Sequence, residues 1–319
     1  MPALRRFRRT TCFRPSNDLR RRRRPGPDQV HLTSTNTLDH SGCRLAYEVV
    51  GEGPPVLFIQ GVGVHGGGWS PQVEALSSGF RCLSFDNRGM GASQPLTLPL
   101  TVEQMADDAR ALLACQGWDS AHVVGHSLGG PVALELALSA PERVRSLSLL
   151  CTVARGRDAT RLSRRMLWLG LRSSVGTRRM RRRAFLEIVM PPGAVVASEA
   201  EELAARLEPL FGHDLADQPP VAMRQLRALR AYNASTRLGR LARVATLVVS
   251  ATHDPIAPPR YGRALAEGVP GARFVEVSDA SHGVTIQHAE QINTLLREHL
   301  TRAEAQRHSG AGRLANHAR

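Results

Sequence analysis

Three side chains that together can activate a hydroxyl and attack a carbonyl lie along this sequence in the order serine, carboxylate, histidine. The stretch VVGHSLGG, Val123 to Gly130, sets Ser127 between Gly125 and Gly129 in a G-x-S-x-G pattern. It follows a β-forming run (121–126) and precedes a helical pattern, the context in which a sharp strand-to-helix turn lifts a serine hydroxyl to a helix N-terminus. A side chain at either glycine would collide with neighbouring backbone there. Serine is a weak nucleophile until a base takes its proton, so a histidine and an orienting carboxylate are required downstream. VVSATHDPIAPP supplies Asp254 after one β-run, and VEVSDASHGV supplies His282 after another. His282 would serve as base and then acid, and Asp254 would hold its tautomer and stabilise its cation. Donors for a developing oxyanion are expected from the backbone amide of Leu128 and from the glycine-rich QGVGVHGGGW, at Val62 or its neighbour Gly63.

Each residue also has a plainer reading. Ser127 could be a turn serine, Asp254 an N-cap or turn residue with Asp279 as a poor substitute, and His282 a loop histidine with His288 as the fallback. His126 and His253 read as locally structural. His65, in the oxyanion loop, and Trp168 are candidates for the substrate pocket. Trp168, Met166 and Phe185 read first as the core of a helical cap and only second as substrate contacts.

The elements that must position these residues are legible as periodicity. Runs at 44–50, 55–60, 80–86, 121–126, 145–151, 245–251 and 272–278 read as strands, and helical patterns fall at 69–78, 102–116, 128–139, 259–268 and 284–301. Such alternation implies a mostly parallel sheet covered on both faces. Residues 154–240 break it with helical stretches only, one opened by a Ser198 to Glu201 capping box and another stopped by Pro191-Pro192-Gly193. In the first of them Leu162, Met166 and Leu169 share one face, and Arg161, Arg165 and Arg172 another. A helical insertion between strands reads as a cap over the sheet's carboxyl edge, where such sheets bind ligands. The expected division is a disordered Arg-rich tail (1–29), a core in two parts (30–153 and 241–302), the cap, and a flexible tail (303–319).

The formal charge of +14 invites a nucleic-acid reading. Its distribution argues against one. Residues 1–30 hold ten arginines against Asp18 and Asp28, and residues 155–183 hold eleven against Asp158, so the remainder is net acidic. With 4% aromatic residues there is little to stack on bases. The tail reads as disordered, as sequence upstream of a start at Val30, or as an arm for nucleic acid or an anionic membrane. No signal peptide or spanning segment is expected. The five cysteines lack metal-ligand spacing; Cys82 and Cys151 read as small core residues of a reducing, cytoplasmic compartment.

Taken in order, QGVG…W, DNRGMGAS (86–93), GHSLGG, ATHDPIAPP and SHG resemble the α/β-hydrolase superfamily, in its capped esterase, lactonase and C–C hydrolase branch, over residues 40–302. The resemblance implies a mostly parallel sheet of about eight strands with a helical cap inserted after the sixth, and Ser127, Asp254 and His282 as the triad. It makes Asp86, Arg88 and Gly89 a structural turn. Gln60 departs from the histidine that many relatives carry there, so the oxyanion loop must be supported differently. Serine at 127 excludes the aspartate nucleophile of dehalogenases and epoxide hydrolases. The expected activity is cofactor-free and metal-free cleavage of an ester or lactone of a small hydrophobic substrate through an acyl-enzyme. The alternatives are a C–C bond hydrolase, thioesterase, acyltransferase or perhydrolase, and a non-catalytic ligand-binding homologue.

Overall fold

The computed structural model describes residues 12–13, 35–96, 99–159, 163–196 and 198–317. Apart from Cys12 and Phe13, the expected tail 1–29 and the start at Val30 lie outside these residues, as do Arg161 and Leu162. Nine strands form one sheet: β1 (Cys12–Phe13), β2 (Asn36–His40), β3 (Cys43–Val50), β4 (Pro55–Ile59), β5 (Arg81–Phe85), β6 (Ala121–His126), β7 (Val144–Leu150), β8 (Ala245–Ala251) and β9 (Arg273–Val277). Their spatial order is β1-β2-β3-β5-β4-β6-β7-β8-β9. The first three are antiparallel, and β3 meets β5 antiparallel; all later pairings are parallel. Without the two-residue β1 the count is eight, and the cap follows the sixth.

The parallel strands are apolar throughout because both of their faces are covered. In β4, Leu57 and Ile59 pack with α2 (Val102–Cys115) and α3 (Gly129–Ser139), while Val56 and Phe58 face the opposite layer. That layer is built from α1 (Ser70–Leu76) and from Ile292, Leu296 and Leu300 of the C-terminal helix. The strand β2 was not expected: Asn36–His40 carries one fully buried apolar residue, Leu38, and forms by hydrogen-bonding to β3 across the Ser41-Gly42 turn.

Between β7 and β8 the described residues add no strand to the sheet, only an isolated bridge of Arg155 with Asn233, and form the helices α4 (Gly156–Ala159), α5 (Arg164–Arg172), α6 (Arg178–Val189), α7 (Ala200–Phe211) and α8 (Ala222–Ala231). After β8 come α9 (Pro259–Gly268), α10 (Val284–Gln287) and α11 (Ala289–His317). Two details correct the sequence reading. The residue flanking α7 is Glu199, with no side-chain cap bond, so the Ser198 capping box does not form. And α11 continues through most of the segment expected as a flexible tail, because TRAEAQRH consists of residues compatible with helix, without proline. Cys82 and Cys151 are free and buried, as expected of core cysteines, and so is Cys43, but Cys115 is disulfide-bonded. Among the described residues no helix is long and apolar enough to cross a membrane.

Candidate active site

The turn between β6 and α3 is tight enough to dictate its sequence. Ser127 sits at φ +52°, in the left-handed region that a non-glycine residue adopts only when its surroundings hold it there. Two hydrogen bonds do so: the Ser127 amide donates to Leu150 O (3.0 Å), and Thr152 Oγ1 donates to Ser127 O (2.6 Å). A Cβ on Gly125 would stand 2.2 Å from Gly129 O, and one on Gly129 would stand 2.0 Å from Ile59 O. Both glycines are therefore steric requirements of the turn.

The loops after β8 and β9 deliver the partners. Ser127 Oγ lies 2.9 Å from His282 Nε2, to which its hydroxyl donates; His282 Nδ1 donates to Asp254 Oδ2 at 2.8 Å. The other carboxylate oxygen of Asp254 accepts from the amides of Ile256 (2.8 Å) and Ala257 (2.9 Å). One side chain thus fills both the turn role and the orienting position, one with each oxygen. Burial raises the Asp254 carboxyl pKa, but the charge and hydrogen bond of His282 and the two amides outweigh it, and the net shift is downward. Beside it, the Cys151 thiol is pushed well above its ordinary range by burial and by Asp254 itself, and stays protonated.

Asp279 and His288, the fallback residues, lie outside this array: His288 is in reach only of the Asp279 carbonyl, at 3.4 Å. His126 has a larger part than expected. It is buried below the site, and its Nε2 donates to the carbonyl of His282 (2.9 Å), fixing the backbone that carries the base. Burial and the neighbouring His282 lower its pKa to about 3, so it is a neutral donor.

Two backbone amides near the serine have no acceptor among the described residues: Leu128 follows it directly and Val62 lines the same cavity. Gly61 N–H is taken by Gln60 Oε1 (3.0 Å) and Gly63 N–H by Gln225 Oε1 (2.9 Å), whereas Val62 N–H and Leu128 N–H donate to no group among the described residues. Gln225 thus occupies the Gly63 amide and leaves that of Val62 without an acceptor among the described residues. Gln60, the departure noted in the sequence, acts as a short tether within the loop. The cap holds Gly63 on its other side too, since His213 Nε2 lies 2.9 Å from Gly63 O. Neither Gln225 nor His213 is marked by any sequence motif.

Above Ser127 lies a cavity of about 260 Å³ between sheet and cap, walled largely by apolar side chains that include Val64, Met166, Phe185, Phe211, Leu229 and Ile256. The two pocket candidates are corrected. Trp168 is 53% exposed: with Met166 and Leu169 turned inward, the helical rotation places it on the outer face of α5. His65 is held away by Pro209 O, 2.9 Å from its Nε2, and lines a separate cleft beside Asp86. Met166 and Phe185 are both cap core and cavity wall. Asp86 and Arg88 are structural. Asp86 accepts from the amides of Gly66 and Ala92, while the fully buried Arg88 pairs with Asp108 and donates to the carbonyls of Ser41 and His40. Among the described residues no group of three or more His, Cys, Asp or Glu side chains is placed to hold a metal ion.

Comparison with known proteins agrees with this architecture. The family described as alpha/beta hydrolase fold matches residues 54–289. The chain is 32% identical over 259 residues to the "Putative carbamate hydrolase RutD" of Azorhizobium caulinodans, spanning 79% of this chain and 93% of that protein. It is 32% identical over 267 residues to the "Putative non-heme bromoperoxidase BpoC" of Mycobacterium tuberculosis, spanning 79% and 95%. Among solved structures, the enol-lactonase from Burkholderia xenovorans superposes with a TM-score of 0.66 at 27% identity, over 82% of this chain and 98% of that one.

Proposed function

The chain belongs to the α/β-hydrolase fold family, and from that premise we propose that it is a serine hydrolase cleaving an ester or lactone of a small hydrophobic substrate. The observation that carries this reading is the continuous relay from Ser127 Oγ through His282 to Asp254, with hydrogen bonds of 2.9 and 2.8 Å, opening into an apolar cavity. Ser127 Oγ attacks the carbonyl carbon while His282 Nε2 takes its proton, and Asp254 stabilises the imidazolium. The tetrahedral oxyanion is held by the amides of Val62 and Leu128, which no other described group occupies. On collapse, His282 gives the proton to the leaving alkoxide and the acyl group stays on Ser127. Water, deprotonated by His282, then releases the acid and restores the serine.

The size and lining of the cavity support short or compact apolar acyl groups, and an intramolecular ester fits as well as an open one. The relatives' names span carbamate, halide and enol-lactone chemistry, so the bond preference rests on the cavity. Labelling with a fluorophosphonate, read by intact mass on wild type, Ser127→Ala and His282→Ala, tests the mechanism. Wild type alone should add one probe; a folded wild type that adds none would remove the hydrolase reading. A series of p-nitrophenyl esters of rising chain length should then fall off where the acyl chain outgrows the cavity.

A further inference from the structure

The outer face of the cap is apolar where a solvated helix would be polar. On α5, Leu167, Trp168 and Leu171 are each more than half exposed, and Val175 continues the same stripe beyond the helix end. On α8, Met223 is exposed to the same degree, and Leu226, which also borders the cavity, is 37% exposed. The polar residues interleaved with them are of one sign. RRMLWLGLR and AMRQLRALRA contain six arginines and no aspartate or glutamate.

On α6, by contrast, Arg178 and Arg182 are paired with Asp214, Asp217 and Glu201, and Arg183 with Glu187. Among the described residues, Arg164, Arg172, Arg224, Arg227 and Arg230 have no such carboxylate partner. Arg172 instead lies over the ring of Trp168, 4.9 Å from its centroid. Both helices also line the cavity above Ser127, α5 through Met166 and Ser173, α8 through Leu226 and Leu229.

We propose that this face of the cap docks on the surface of an anionic phospholipid bilayer, with Leu167, Trp168 and Leu171 entering the headgroup boundary and the arginines on lipid phosphates. Large apolar side chains with an aromatic, flanked by arginines and free of acidic residues, are what an interfacial helix needs. The charge also selects among occupants. A second copy would bring a face of the same sign against this one, and anionic lipid neutralises it. Docking does not depend on the chemistry at Ser127. It would set the cavity mouth against the interface, so that an apolar substrate dissolved in the bilayer enters without crossing water.

Trp168 makes the test direct, because Trp69 and Trp118 are buried and it alone is exposed. The full chain carrying Ser127→Ala, so that no turnover intervenes, is titrated with vesicles of phosphatidylcholine alone and of phosphatidylcholine mixed with phosphatidylglycerol. The expected result is a blue shift of Trp168 emission with the mixed vesicles only. Leu167→Glu/Leu171→Glu and Arg224→Gln/Arg227→Gln should each weaken it about tenfold or more. No shift with mixed vesicles overturns the proposal. So does co-sedimentation without a shift, which would place binding in the Arg-rich residues 1–29, or a shift that both double variants retain. A shift that follows protein concentration in the absence of lipid would assign the face to self-association and overturn it as well.

Discussion

At the scale of single residues, the division of labour on Asp254 makes a sharp prediction. Asp254→Asn retains an oxygen for the Ile256 and Ala257 amides but cannot both hold that turn and accept from His282 Nδ1–H. Ester hydrolysis should fall by roughly a thousandfold or more with the fold intact; a variant with near-normal kcat would return Asp254 to a purely structural role. The meeting of Ser127, His282 and Asp254 was legible because each follows a strand and sits in a short motif. The residues that hold them were not. His126 supports the backbone of His282 from 156 positions away, and no local pattern encodes that meeting. Trp168 was misread for a related reason: an apolar side chain on a helix can face a cavity or solvent, and only packing decides which.

At the scale of elements, the cap is more than a cover, because α8 and the segment after α7 grip the oxyanion loop at Gly63 from both sides. Replacing Gln225 by Leu frees the Gly63 amide to compete for, or turn away from, the oxyanion position. We expect kcat to drop roughly ten- to a hundredfold with KM changed far less, read by steady-state kinetics on one ester. A loss confined to KM would instead make Gln225 a pocket residue. On the opposite side of the sheet edge, the ion pair of Arg88 with Asp108 fastens α2 to the turn after β5. Arg88→Met should cost about 3–5 kcal/mol in urea unfolding, because it strands a buried carboxylate, and adding Asp108→Leu should recover much of that loss. The strands and helices of the sheet were readable from their apolar runs, whereas β2 was not, since its stability comes from its partner strand. The cap was legible as helical but not in its arrangement, which depends on which faces of its helices meet.

At the scale of the whole molecule, buried histidines tie stability to pH. His126 is lowered to about 3 and His299 to about 4, in both cases by burial first. A depressed histidine contributes stability that is fully present above its unfolded value near 6.5 and is lost as pH falls toward its folded value. Between about pH 6 and pH 4 each should cost about 1.4 kcal/mol per pH unit. Urea unfolding at a series of pH values should therefore show stability declining through that window, and a flat profile would mean that both take up protons without unfolding. The same architecture also sets a timetable. His282 lies 155 residues downstream of Ser127, with the whole cap between them, so a ribosome working at 5–20 residues per second makes Ser127 roughly eight to thirty seconds before the imidazole that would take its proton. Under the proposed mechanism the nascent chain is chemically mute until the strand that closes the edge of the sheet, and the loop after it, have been made.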